Sequence, residues 1–216
     1  GNDTLIGLDS DANWELLIAG FRYHDILSSS AVDFEMFENL QGGAGIDTFT
    51  LTGVVTANLL GGGNDDPFVF GDNATLVGTI DGGAGQDEVD YSAYTSSVVA
   101  SFGQFVDVEK LTDSGEGADT LLGSDAADIF SITDTNDGTV QRATGGTILS
   151  FQDWENLNGG SGQDLFDFDS NLSVLTGSID GGSTSESDSL TASGVTADIG
   201  YVLQGMGASS GFSGTA

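Results

Sequence analysis

Apolar and polar residues alternate along this chain in short runs with a period of two, the pattern of half-buried β-strands. Phe49-Thr50-Leu51, Phe68-Val69-Phe70 and Ile129-Phe130-Ser131-Ile132 are the clearest examples. Each run places large apolar side chains on one face and follows a cluster of glycines, as a strand entered from a tight turn does. No stretch sustains a helical period. The best candidate for a departure is Asn13–Leu27, which reads as a short helix or an irregular insertion.

The glycine clusters are copies of one nonapeptide. Gly42-Gly43-Ala44-Gly45-Ile46-Asp47-Thr48-Phe49-Thr50 returns as Gly82-Gly83-Ala84-Gly85-Gln86-Asp87-Glu88-Val89-Asp90. It returns again as Gly159-Gly160-Ser161-Gly162-Gln163-Asp164-Leu165-Phe166-Asp167. Degenerate copies run from Gly61 and Gly62 to Asp66, from Ser114 to Asp119, and from Gly123 to Asp128. Asp119 and Asp128 lie nine residues apart and form the one tandem pair. The copy Gly181–Leu190 carries extra residues between its glycines and Asp188, and Gly1–Gly7 reads as the second half of a further copy. Glycine permits the left-handed conformations that such turns need. The Asp that follows either caps the turn or ligates a cation. Calcium takes six to eight oxygens from carboxylates and carbonyls together, and stacked glycine turns supply both. The candidate metal ligands are therefore Asp47, Asp66, Asp87, Asp119, Asp128 and Asp164, with the carbonyls of Gly43, Gly45, Gly62, Gly83, Gly85, Gly160 and Gly162.

These nonapeptides resemble the RTX, or haemolysin-type, calcium-binding repeat of secreted bacterial proteins. A longer signature accompanies them: Phe37-Glu38-Asn39-Leu40, Val108-Glu109-Lys110-Leu111 and Trp154-Glu155-Asn156-Leu157, with Phe34, Phe105 and Phe151 three residues ahead. The combination is similar to long repeat tracts in very large surface and adhesin-like proteins. The resemblance implies calcium, an extracellular or cell-surface location, and neighbouring repeats or end-to-end copies of the chain as partners. In the regular roll, nonapeptides run in tandem and hold calcium along both edges. Here Asp47, Asp66 and Asp87 are 19 and 21 residues apart, a spacing that fits one motif per rung along one edge. The fold expected is all-β: a single elongated right-handed parallel β-solenoid over 1–216, with about 20 residues per rung. Both chain ends read as continuous with further repeats, and the last residues, Gly205–Ala216, are rich in Gly, Ser and Ala.

Composition adds a demand for positive charge. Against 26 Asp and 8 Glu the chain has three basic residues, for a formal charge of −31. Unneutralised, that charge swells a chain, so cation binding becomes a source of folding free energy. It also opposes nucleic-acid binding. No apolar run approaches the ~20 residues of a membrane-spanning helix, and without cysteine there are no disulfides. One His, one Lys and two Arg leave little for acid–base chemistry. They concentrate only in Arg22-Tyr23-His24-Asp25, which reads as a local salt bridge on a loop rather than a catalytic cluster. Trp14 and Trp154 read as core stacks rather than sugar platforms. The function expected is a non-enzymatic, calcium-stabilised stalk, adhesin or matrix segment that folds on export, with a surface polysaccharide or protein as a further ligand. The alternatives are a self-assembling filament or surface-layer subunit, a module of a polysaccharide-active β-helix enzyme, and the same fold with Asp capping turns without calcium.

Overall fold

The structure, a computed structural model, describes residues 2–18, 20–182 and 187–196. Part of the Gly181–Leu190 repeat, and the segment Gly205–Ala216, lie outside the described residues. The fold is all-β. The residues cluster into two compact units. One comprises 1–96 with 104–116, the other 97–103 with 117–216.

In the first unit, five parallel strands form one sheet: Thr4–Ile6, Asn39–Gln41, Asn58–Gly63, Ile80–Ala84 and Phe105–Val106. Their inward residues Leu5, Leu40, Leu59, Ile80 and Phe105 stand in register. Ala12–Leu17, Asp47–Thr52, Pro67–Phe70, Glu88–Asp90 and Lys110–Thr112 are likewise parallel. Their shared column, Trp14, Phe49, Phe68, Val89 and Leu111, is wholly buried. Each advance of about 20 residues, lengthened between Trp14 and Phe49, returns the chain to the same register, so like side chains stack at the spacing of adjacent strands. Rings of Trp14 and Phe49 lie 5.3 Å apart at 11°, and those of Phe49 and Phe68 lie 5.0 Å apart at 12°. Val54–Thr56 and Thr75–Val77 make a third, two-stranded parallel pairing.

Asn13–Leu27, expected as a short helix or irregular insertion, is instead a β-hairpin. Ala12–Leu17 turns back into Gly20–Asp25, and Ser30–Phe34 adds antiparallel to it. Ala12, Trp14 and Leu16 are buried while Asn13, Glu15 and Leu17 are not, so strand period governs a segment whose apolar run Leu16-Leu17-Ile18 resembles a helix face. Tyr23 and Phe34 close over Trp14 edge-on, at centroid distances of 4.7 and 6.0 Å. Trp14 and Trp154 are both fully buried, the expected core positions.

The second unit repeats the plan. Val99–Ser101, Thr120–Leu122, Asn156–Asn158 and Ile179–Asp180 form a parallel sheet. Asp128–Ile132, Leu165–Phe168 and Ser189–Thr191 pair in parallel, with Phe130 stacked on Phe166 at 4.8 Å. A hairpin again interrupts one turn of the chain: Gly138–Arg142 adds antiparallel to Asp128–Ile132, and Leu149–Gln152 adds antiparallel to Gly138–Arg142.

Stability rests on these stacks. Phe49 contacts an aromatic ring on each side, so Phe49→Ala is expected to cost about 3–5 kcal/mol. Thr50→Ala, on the outward face of the same strand, should stay within about 0.5 kcal/mol. Urea unfolding of the two variants measures the contrast.

Candidate cation-binding columns

The Asp of each nonapeptide stands at the point where its glycine turn enters a strand. Its side chain is not directed to solvent: Asp47, Asp66, Asp87, Asp119 and Asp128 are 0% exposed and Asp164 is 1% exposed. Most of these carboxylates reach across to the neighbouring strand. Asp66 Oδ1 accepts the backbone N–H of Asp47, and Asp87 Oδ1 accepts that of Asp66, both at 2.8 Å. In the second unit Asp164 Oδ1 accepts the N–H of Asp128 at 2.8 Å, and Asp188 Oδ1 accepts that of Asp164 at 3.1 Å. Two columns of stacked carboxylates result, Asp47–Asp66–Asp87 and Asp128–Asp164–Asp188. Asp119 belongs to neither. It accepts the N–H of Val98 at 2.6 Å, so the tandem pair Asp119 and Asp128 does not share a column.

The glycines make room for this arrangement. A Cβ on Gly42 would come within 2.6 Å of Asp47 Oδ2, and one on Gly82 within 2.6 Å of Asp87 Oδ2. Gly61 and Gly159 stand in the same relation to Asp66 and Asp164. The second glycines stack on one another: a Cβ on Gly62 would strike the carbonyl oxygen of Gly43, and one on Gly83 that of Gly62. Gly160 lies against the Ser124 carbonyl. The third glycines Gly45, Gly85 and Gly162 lie against backbone of the adjoining rung, at Ser10–Asp11, Asn64 and Ala126.

The second carboxylate oxygen is differently placed. Asp47 Oδ2 accepts the N–H of Gly43 at 2.8 Å, and Asp128 Oδ2 that of Ser124 at 2.6 Å. Oδ2 of Asp66, Asp87, Asp119 and Asp164 is buried and receives no hydrogen bond among the described residues. The same glycine Cβ positions that would meet these oxygens also meet a main-chain carbonyl of the next rung: Gly82 for Asp66, Asp107 for Asp87, Gly181 for Asp164. Two acceptors thus converge on each of these turns. An unpaired buried carboxylate is costly, and the group responds by holding its proton. Burial first, then neighbouring carboxylates, pushes Asp66 and Asp164 up to about 7 and Asp87 up to about 6. Burial raises Asp47 and Asp128 as well, against the hydrogen bonds that lower them.

A proton or a cation would supply the missing positive charge. An ion of calcium's character fits the donor set, which consists of carboxylate and carbonyl oxygens with no nitrogen or sulfur. Among the described residues no three acidic or imidazole side chains converge on one point. A cation here would therefore draw most of its oxygens from backbone carbonyls of the glycine turns.

The signature glutamates have a place that the sequence did not disclose. Glu109 Oε2 accepts the N–H of Asp87 at 2.8 Å, extending the first column. Glu155 Oε2 does the same for Asp119 at 2.9 Å, and Glu38 Oε2 for Asp3 at 2.8 Å. The signal was present in the spacing, since Glu109 follows Asp87 by 22 residues, close to the 19 and 21 that separate Asp47, Asp66 and Asp87. Asp188, in the most irregular repeat, was likewise not singled out.

Arg22-Tyr23-His24-Asp25, expected on a loop, falls instead on the strand Gly20–Asp25 because it pairs along Ala12–Leu17, and its side chains disperse. Arg22 pairs with Asp33 at 2.6 Å on the surface. Tyr23 accepts the N–H of Leu8, and Asp25 accepts the Ser10 hydroxyl and caps the turn at Ser28.

No family model, curated protein or solved structure matches this chain.

Proposed function

We propose that this chain is a structural segment of a secreted or surface-exposed bacterial protein, a right-handed parallel β-solenoid whose carboxylate columns are neutralised by calcium. The observation that carries the reading is the set of buried, unbonded Oδ2 atoms on Asp66, Asp87 and Asp164, each set beside a carbonyl of the next rung. The RTX-like nonapeptides and the parallel pairing at 19 and 21 residues support it. In this role the chain is a stalk, adhesive fibre or matrix element. It stays unfolded where calcium is scarce and stiffens in the millimolar calcium outside the cell. Asp66, Asp87 and Asp164 hold the ion, with carbonyls of the glycine turns, while Oδ1 keeps adjacent rungs in register. A second reading is favoured by those Oδ1 bonds: the aspartates act as protonated caps and no metal is needed.

Far-UV circular dichroism of the chelator-stripped chain at pH 7.5 separates the two. A coil spectrum that becomes β on calcium, and not on magnesium, is the expected result. A β spectrum indifferent to chelator and calcium would leave the capping reading standing and remove the metal.

A further inference from the structure

The two units each carry one hairpin insertion, and comparing the two isolates a surface with an unexplained character. In the second unit the first hairpin turn is polar, Thr133-Asp134-Thr135-Asn136-Asp137, and the chain re-enters its sheet through Asp153. Asp153 takes a left-handed φ of 65°, as Asp107 does at the equivalent corner with φ 45°. Asp tolerates that conformation better than most residues. In the first unit the same corner is Met36, with φ 66° and 83% exposed. A long apolar side chain in the left-handed region is strained, and here it is strained without being buried. The turn of that hairpin carries Ile18, 82% exposed and lying over Gly53.

Met36 and Ile18 meet across one groove of ≈ 440 Å³, whose apolar lining is completed by Leu17, Phe21, Phe37 and Val54. Its polar lining includes Glu35 and Glu38. The adjoining cleft adds Glu15 and Asp33, with Arg22 already committed to Asp33. Apolar and acidic side chains therefore line the same groove. That combination separates its occupants. A second copy of the chain brings another −31 charges to an acidic lining, and like charges across an interface oppose association. A partner with apolar side chains flanked by Lys or Arg matches both features.

We propose that this groove is a docking site for a cationic, apolar-sided segment of a partner protein, with Ile18 and Met36 as its anchors. The site is distinct from the carboxylate columns, since its lining includes none of their aspartates. The probe is a fluorescein-labelled peptide of alternating Leu and Lys, eight residues long, titrated into the full chain by anisotropy in calcium buffer at 150 mM salt. A Ser–Lys peptide of equal charge is the control. Met36→Asp restores the residue type of the equivalent corners, and Ile18→Ser shortens the turn side chain, so both should keep the circular dichroism and melting of the parent. The expected result is saturable binding of the Leu–Lys peptide that weakens at least tenfold in the double variant, with the Ser–Lys peptide at least tenfold weaker on the parent. Equal binding of the two peptides, or of parent and variant, would reduce the effect to attraction by net charge and overturn the proposal. Sedimentation that shows a parent dimer lost in the double variant would also overturn it, assigning the groove to a second copy.

Discussion

Acidifying the chelator-stripped chain is expected to stabilise it, against the usual behaviour of a carboxylate-rich protein. Ordinary salt-bridged or hydrogen-bonded carboxylates have folded pKa values below the unfolded value and lose stability as pH falls. The columns here run the other way. Asp66 and Asp164 are pushed up to about 7 and Asp87 to about 6 by burial, against an ordinary value of 3.8. Between those limits the folded chain binds more protons than the unfolded one, so stability decreases as pH rises through that window. It is fully present below about pH 4 and lost as pH passes 6 to 7. Each group contributes at most about 1.4 kcal/mol per pH unit. Three acting together should turn the metal-free chain from a coil at pH 7.5 into a β-structure with a cooperative melting transition at pH 5. Calcium requires the ionised form and should flatten or invert the slope, since it competes with the proton for the same oxygen. Asp66→Asn separates the roles further. The amide keeps an acceptor for the Asp47 N–H but carries no charge, so the metal-free variant should be more stable than the parent at pH 7.5 and gain less from calcium. Calorimetry at several pH values, with and without calcium, checks all of this. A melting temperature that falls monotonically on acidification would show that the columns do not hold protons.

Gly62→Ala should be among the most damaging single substitutions in the chain, and Gly63→Ala, one residue later, among the mildest. Gly62 has φ +111°, outside the range a side chain tolerates, and an added Cβ would strike the Gly43 carbonyl of the adjoining rung. The strain alone is about 1–3 kcal/mol, and the collision must be relieved by pushing stacked backbones apart. Because the struck atom is main chain, no rotamer change relieves it. Gly63 meets only the Ala44 Cα, at 3.8 Å. Alanine there should be neutral, or stabilising by about 0.4–1 kcal/mol through the unfolded state. Parallel urea titrations of the two variants make the comparison. Equal midpoints would mean that the glycine turns do not stack as described.

What could be read from the sequence was the part that repeats. The alternation in Phe49-Thr50-Leu51 marked an inward and an outward face, and the interval from Asp47 to Asp66 to Asp87 marked where parallel strands recur; both appear in the pairing of Phe49 with Phe68 and of Phe68 with Val89. The hairpin at Ala12–Asp25 was not legible because its turn at Ile18 carries none of the Asn-Gly or Asp-Gly chemistry that announces one, and its apolar residues run together. Nor could the direction of the Asp side chains be read. An Asp after a glycine turn has the same letters whether it faces outward or lies inward over the preceding glycine, and only the absent Cβ of Gly61 shows which. The role of Glu38, Glu109 and Glu155 depends on a partner 22 to 36 residues away, so it follows from register and not from any local pattern.

The hairpin detours bear on how such a chain changes over generations. Asp128 meets Asp164 after 36 residues by the same bond that joins Asp47 to Asp66 after 19. The detour leaves and rejoins its sheet without altering which residues face each other. A lineage can therefore gain or shed a whole hairpin in one genetic event, with the neighbouring turns still meeting the partners they had before. Length is free to drift at these places, while the interval between glycine and aspartate within each nonapeptide is not.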